Sequence, residues 1–245
     1  MVHTRETRTC ASEIKFLIDP VLAPRIRDWA RTELEADPHG LGPYGDEYET
    51  TSLYFDTRHF DVFHRHASFA RAKYRIRRYG DSECVFFERK LRKPALLIKR
   101  RTMASMDAMS HLQDVHAPSG WGADWFRQRL RVRRLQPVCQ VSYRRTARTT
   151  ETNDGPARLT LDSDLRVVST SDARFSAEPG RQFLAERMIL ELKYCVRVPA
   201  IFRRLVEDFA LTTETASKYR LGMAALGHIP APSREAVKGS NVFYA

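Results

Sequence analysis

Polar and apolar residues alternate with a period of two along several stretches of the chain, which is the period of a β-strand. Lys73, Arg75 and Arg77 fall on one face of such a stretch, while Tyr74 and Ile76 fall on the other. Gly80-Asp81-Ser82 predicts a hairpin turn after this stretch. The same alternation predicts strands at residues 13–19, 51–55, 68–79, 84–90, 96–101, 138–146, 157–162 and 187–196.

Apolar residues recur at helical spacing in three other segments. Residues 20–34 and 199–209 each carry one apolar stripe, and Pro199 suits a first helical turn. Residues 104–135 predict a helix that is broken near Pro118-Ser119-Gly120. Because hairpin-like strands dominate, the pattern indicates an α+β fold with an antiparallel sheet rather than a doubly wound parallel sheet.

Composition adds a strong positive charge to this picture. The 245 residues include 41 Lys and Arg against 30 Asp and Glu, a net charge of +11, which predicts an anionic partner. The four cysteines are far apart, which favours reduced thiols over a disulfide or zinc framework. The first ten residues lack the apolar core of a signal peptide, and no run is long enough to cross a bilayer, so we predict a cytoplasmic protein.

The charged strand faces carry mostly cations, with a few carboxylates among them. A sheet with one face in water would also alternate, but a solvated face usually mixes the two signs more evenly. If the strands close into a barrel with the charges inward, the interior is wet and strongly positive. Like charges so close together repel, and a bound polyanion would compensate them. This interpretation places the predicted helices on the outside of the barrel.

Seven short segments of the chain combine charged and apolar positions in this way: Glu13–Phe16, Tyr74–Gly80, Phe87–Lys90, Tyr143–Thr146, Arg158–Asp162, Leu190–Lys193 and Ser217–Tyr219. In their order, these segments resemble those of a VTC domain, the polyphosphate polymerase domain of the vacuolar transporter chaperone complex and its bacterial relatives. The resemblance runs from about residue 11 to 227 and leaves 228–245 as a C-terminal tail. It implies an antiparallel β-barrel related to the CYTH-like triphosphate tunnel metalloenzymes, with helices packed around the outside.

The resemblance implies a metal-dependent polyphosphate polymerase that transfers the γ-phosphoryl group of ATP to a growing polyphosphate chain. Its ligands would be ATP, polyphosphate or triphosphate, and Mn²⁺ or Mg²⁺ held by Glu191. Substrate contacts would come from Lys99, Tyr143, Ser217 and Lys218. The catalytic cations implied by the motif positions are Lys15, Arg75, Arg77, Lys90, Arg145, Arg158 and Lys193.

Two positions depart from the patterns of these relatives. Ala11 replaces the first glutamate of the ExExK motif of the hydrolytic CYTH enzymes, which argues against a simple triphosphatase. Thr215 stands where some polymerases have a further lysine, two positions before the serine of the Ser-Lys pair. Glu13 and Glu88 are expected either to bind metal or to balance nearby cations, and Asp162 to orient Arg158.

Other functions remain as alternatives. A non-catalytic polyphosphate- or nucleotide-binding module and an inorganic triphosphatase are both compatible with the resemblance. Nucleic-acid binding is disfavoured because the aromatic residues do not interleave with cations and no RNA- or DNA-binding motif is present. No P-loop occurs, so side chains rather than a backbone cradle would hold phosphate. The resemblance also allows a separate membrane subunit as a partner.

Overall fold

The computed structural model describes residues 3–9, 12–93, 96–112 and 121–227, and it consists of one large antiparallel sheet with helices around it. The strands are β1 (His3–Thr9), β2 (Ser12–Ile18), β3 (Glu35–Ala36), β4 (Glu47–Asp56), β5 (Ala72–Tyr79), β6 (Cys84–Lys93), β7 (Leu96–Ser105), β8 (Gln136–Thr152), β9 (Gly155–Ser169), β10 (Arg181–Gln182) and β11 (Met188–Tyr194). The helices are α1 (Ala23–Glu33), α2 (Asp61–His64), α3 (Asp124–Val132), α4 (Ala200–Asp208) and α5 (Lys218–Ala225), with 3₁₀ turns at Ala67–Phe69 and Met106–Leu112.

The predicted strands are all present, most of them longer than the alternation alone indicated. The prediction of helix over residues 104–135 was wrong in part, because residues 104 and 105 end β7 and, within the described part of this segment, α3 is the one α-helix. The sequence pattern did not predict β1, β3, β10, α2 or α5. Residues 10–11, the predicted break at 118–120 and the predicted tail at 228–245 lie outside the described residues. None of the helices in the described ranges is long and apolar enough to cross a bilayer.

The main path of the sheet runs β1-β7-β6-β5-β4-β8-β9-β11-β2, with β3 beside β8 and β10 beside β9. Strong curvature brings its two sides together. Five strands separate β6 from β2 along this path, yet the Lys90 ammonium on β6 lies 2.7 Å from a carboxylate oxygen of Glu13 on β2. The sheet is not closed, because no hydrogen-bonded pairing joins β1 to β2 in the part of the chain described here.

Apart from the residues that pack around α5, the hydrophobic cores lie on the convex side of the sheet, under α1, α3 and α4. Leu190 and Leu192 of β11 pack with α1 and α4, whereas Glu191 and Lys193 point to the concave side. On β5, Tyr74 and Ile76 belong to a second core that includes Phe126 of α3. The alternation in the sequence therefore marks an outer apolar face and an inner charged face, as the barrel hypothesis required.

Helix α5 packs against the inner face of β8 and β9. Tyr219 stacks on Tyr54 with ring centroids 5.2 Å apart. A Cβ atom at Gly222 would lie 3.2–3.3 Å from the side chains of Val167 and Val141, so the absence of a side chain permits the close approach of the helix. Because α5 is seated here, its first residues point toward the charged part of the concave face.

Candidate functional site

The inner face of the sheet and the beginning of α5 form what we call the charged channel. The channel holds all the site residues predicted from the sequence, together with several that were not predicted. Its cations are Lys15, Lys73, Arg75, Arg77, Lys90, Lys99, Arg101, Arg145, Arg158, Lys193 and Lys218. Its carboxylates are Glu13, Asp37, Glu88, Asp162 and Glu191.

Glu191 lies at a meeting point of three lysines. Its Oε1 accepts hydrogen bonds from the Lys15 ammonium at 2.9 Å and from the Lys218 ammonium at 3.0 Å. Its Oε2 lies 3.5 Å from Lys193 Nζ. Burial would raise the pKa of Glu191, but Lys218, Lys15 and Lys193 hold it well below its ordinary value. The carboxylate is therefore ionised at neutral pH.

Asp162 forms ion pairs with two cations, Arg145 and Lys218. The Arg145 guanidinium donates to both carboxylate oxygens, at 2.6 and 2.9 Å, and Lys218 forms a further ion pair. Burial alone would lower the pKa of Lys218, but Asp162 and Glu191 raise it above its ordinary value. The expectation that Asp162 orients Arg158 was wrong, because Arg158 instead pairs with Asp37 at 2.7 Å and donates to the Tyr48 hydroxyl.

On the opposite wall, one buried carboxylate holds three cations. Glu88 accepts from Arg75 at 2.7 Å, and its other oxygen lies 2.8 Å from Lys99 Nζ and 3.2 Å from Arg101 Nε. Burial would raise the pKa of Glu88, but Arg75 and Lys99 hold it well below its ordinary value. Glu88 therefore fixes the positions of two predicted ligands, Arg75 and Lys99, and of Arg101.

Arg77 and Lys73 lie on either side of Arg75 on β5, and they make no ion pair with a described carboxylate. Arg77 donates to the Ser52 hydroxyl at 3.1 Å and to the Tyr143 hydroxyl at 3.0 Å, although it is only 5% exposed. Lys73 donates to the Ser217 hydroxyl at 2.9 Å. Burial and the nearby Lys15 and Lys90 lower the pKa of Lys73 to about 7. These two cations are the ones that an anion in the channel would stabilise most.

The first residues of α5 bring the serine and the lysine of the predicted Ser-Lys pair into the channel. Ser217 is the N-cap of α5, and its hydroxyl accepts from the Arg220 amide as well as from Lys73. The Tyr219 hydroxyl donates to Asp56, whose carboxylate also accepts from three backbone amides around α2. Asp56 thereby anchors α5 and fixes where Ser217 and Lys218 enter the channel.

Period-two alternation also indicated channel members that were not among the predicted ligands. Lys73, Glu88 and Arg101 lie two residues from predicted ligands, so period-two alternation places them on the same face. Lys99 and Arg101 face the channel, whereas Arg100 between them stacks on Trp125 outside the channel. No comparable signal marked Asp37, which comes from the loop after β3.

Glu13 and Glu191 both lie beside the Lys15 ammonium. Glu13 Oε1 lies 3.7 Å and Glu191 Oε1 lies 2.9 Å from Lys15 Nζ. No group of three or more His, Cys, Asp or Glu side chains arranged to hold a metal is found within the described ranges. One or two carboxylates are nonetheless what Mg²⁺ and similar ions take from a protein when phosphate oxygens supply the other ligands. The pair fits a metal that arrives with its phosphate ligand.

Comparison with known proteins agrees with this architecture. The VTC domain family matches residues 11–227. Among solved structures, a candidate adenylate cyclase from Bacillus halodurans is similar at 17% identity and a TM-score of 0.53, covering 86% of this chain and 95% of that one. This likeness supports the triphosphate tunnel fold, an antiparallel sheet with helices around it.

Two further solved structures are similar over most of the chain. One is a candidate adenylyl cyclase from Hippeastrum with a dominant triphosphatase activity, at 10% identity and a TM-score of 0.48, covering 89% of this chain and 96% of that one. The other is a Pyrococcus horikoshii protein at 14% identity and a TM-score of 0.47, covering 87% and 98%. No curated protein sequence matches the chain.

Proposed function

Because the chain belongs to the VTC domain family, we propose that it is a polyphosphate polymerase that transfers the γ-phosphoryl group of ATP to the end of a polyphosphate chain in the charged channel. The observation that carries this proposal is the excess of cations over carboxylates on one enclosed face. Every described carboxylate there is already paired, and the side-chain hydrogen bonds of Arg77 and Lys73 go to hydroxyl groups. A chain of phosphates supplies the missing negative charge.

The geometry suits phosphoryl transfer by alignment and charge neutralisation. Arg75 and Arg77 on β5 and Arg145 on β8 point inward from the two strands that flank β4, so phosphate oxygens beside them would meet three guanidinium groups. Such forks can bind two oxygens of a phosphate at once and stabilise charge that spreads during transfer. The Glu88 carboxylate keeps Arg75 in place, and the Asp162 carboxylate keeps Arg145 in place, before the ligand enters.

Neither a general base nor a protein nucleophile is required. The attacking group would be a terminal phosphate oxygen, which is already ionised at neutral pH, and the bond between the β,γ-bridging oxygen and the γ-phosphorus of ATP would break. Lys15, Lys193 and Lys218 would lie beside the transferred group through their shared contact with Glu191. Glu191, with Glu13, would hold Mn²⁺ or Mg²⁺, which supplies charge neutralisation of the triphosphate when bound.

Lys73 supplies a cation near Thr215, the position at which some polymerases have a lysine. Thr215 is exposed, whereas Lys73 Nζ reaches the Ser217 hydroxyl from β5. A cation is therefore present beside the Ser-Lys pair even though the preceding lysine of some polymerases is lacking.

The direct test is incubation of the purified protein with ATP and Mn²⁺, followed by electrophoresis of the products and an assay of free phosphate. We expect polymer that a polyphosphate-specific phosphatase degrades, and none without metal. Release of free phosphate without polymer would show a triphosphatase and refute the polymerase proposal. Binding of tripolyphosphate without either product would replace it by a non-catalytic binding module.

A further inference from the structure

Three aromatic rings lie together at the end of the charged channel farthest from α5. Tyr79 is the last residue of the inner row on β5, the row that begins with Lys73 at α5. Its ring contacts Tyr48 at a centroid distance of 5.6 Å and Phe86 at 5.5 Å, both edge to face. We call Tyr48, Tyr79 and Phe86 the aromatic end.

The aromatic end belongs to neither hydrophobic core. Both cores lie largely behind the sheet, and their buried and partly buried members include none of the three rings. Each ring is half-buried and faces the channel side, where Phe86 pairs across the sheet with Arg77. Aromatic rings that are not used to fill a core, and that remain partly accessible next to a ligand channel, have π-faces available for a planar ligand.

Cations surround the rings of the aromatic end. The Arg101 guanidinium carbon lies 3.5 Å from the Phe86 centroid and 5.5 Å from the Tyr79 centroid. Arg101 also donates to the Tyr79 hydroxyl at 3.1 Å, and Arg158 donates to the Tyr48 hydroxyl. Aromatic and guanidinium planes next to phosphate-binding cations are the combination that binds a nucleotide by both its base and its phosphates.

We propose that the aromatic end, together with Arg101, binds the nucleobase of the donor nucleotide by stacking while the triphosphate extends toward α5. This inference rests on the proposed function, since it assumes that the channel takes a nucleoside triphosphate. It predicts that the protein distinguishes ATP from tripolyphosphate, which has the same phosphates and no base. Because every base has a π-face, stacking alone gives little preference between ATP and GTP.

The position of the aromatic end gives the donor one orientation in the channel. The γ-phosphoryl group would then lie deeper than the base, near Arg75, Arg145 and Lys218, and the nucleoside diphosphate would leave past Tyr79. A growing chain would approach the γ-phosphate from the side of Lys73 and Ser217, opposite to the base.

The test compares the affinities of ATP and tripolyphosphate by calorimetry in the wild type and in Phe86→Leu and Phe86→Tyr variants, with Mg²⁺ present. Leucine keeps the apolar volume and removes the ring, whereas tyrosine keeps the ring and serves as the matched control. We expect Phe86→Leu to weaken ATP binding at least about fivefold, since a base–aromatic stack contributes measurably to affinity, and to leave tripolyphosphate binding within about twofold. Phe86→Tyr is expected to behave like the wild type.

An equal loss of affinity for both ligands would overturn the inference, because it would mean that Phe86 only supports Arg101. Unchanged binding of ATP would overturn it as well. Neither result would contradict the proposed polymerase activity, because that activity is tested by polymer formation in the wild type. Conversely, ATP binding that depends on the Phe86 ring would stand even if the wild type made no polymer.

Discussion

Lys73 is expected to make polyphosphate binding depend on pH near neutrality. Its ammonium group is enclosed beside the beginning of α5, where burial and the nearby Lys15 and Lys90 lower its pKa to about 7. A phosphate oxygen next to Nζ would favour the charged form and raise this pKa toward its ordinary value of 10.5. The protein therefore takes up a proton at Lys73 when the polyanion binds above pH 7.

The size of the effect follows from the pKa. With a pKa of about 7, roughly nine-tenths of Lys73 is charged at pH 6 and roughly one-tenth at pH 8 in the free protein. If the bound form stays charged throughout, this one group weakens the binding of tripolyphosphate about tenfold between pH 6 and pH 8. The stability of the free protein changes in the opposite sense, because unfolded Lys73 keeps its proton up to a pKa of 10.5 and the folded group has released it.

The assay is calorimetric titration with tripolyphosphate, without metal, at several pH values in the wild type, Lys73→Arg and Lys73→Met. Arginine stays charged, so it removes only the titration, whereas methionine removes the charge at every pH. Because tripolyphosphate, Lys193 and Tyr79 also titrate near neutrality, the informative quantity is the affinity ratio of wild type to Lys73→Arg. We expect this ratio to fall about tenfold from pH 6 to pH 8. Parallel pH profiles for the two proteins would refute the reasoning.

Three other substitutions test the site. Glu191→Gln should abolish metal-dependent turnover in a protein that still shows a cooperative thermal unfolding transition. Turnover by this variant at the rate of the wild type would remove Glu191 from the mechanism. Tyr219→Phe should lower the free energy of unfolding by about 1–2 kcal/mol in urea titrations, because buried Asp56 loses a donor; an unchanged midpoint would show that this bond does not anchor α5. Glu88→Gln leaves three cations without their carboxylate and should destabilise the fold by about 3–5 kcal/mol. Tripolyphosphate should then raise the melting temperature of Glu88→Gln more than that of the wild type, and equal shifts would count against charge compensation.

Much of the inner face could be predicted from the sequence because a strand has a simple period. Once Arg75 and Arg77 are placed inward, Lys73 follows, and the alternation in β6 and β7 places Glu88 and Arg101 in the same way. The outer apolar positions, such as Leu190 and Leu192, follow from the same rule. Period-two alternation survives in this fold because each strand has one face against helices and one face in a polar channel.

The parts that sequence reasoning missed depend on contacts between distant segments. Arg158 pairs with Asp37, which lies 121 positions earlier on a loop, and no local pattern links the two. Helix α5 is held by Tyr219 against Asp56, a contact that the sequence does not encode locally. Residues 104–135 were predicted as one broken helix because their apolar spacing is helical, but residues 104 and 105 belong to β7 and pair with β6. Tertiary pairing there overrides local spacing.

The central claim is that the inner cations bind a chain of phosphates, and a crystal structure of the complex with tripolyphosphate and Mn²⁺ tests it most directly. The account predicts phosphates between Arg75, Arg77 and Arg145, with the anomalous signal of manganese beside Glu191. Tripolyphosphate bound on the convex side of the sheet, or a charged channel that stays without phosphate at saturating ligand, would contradict it.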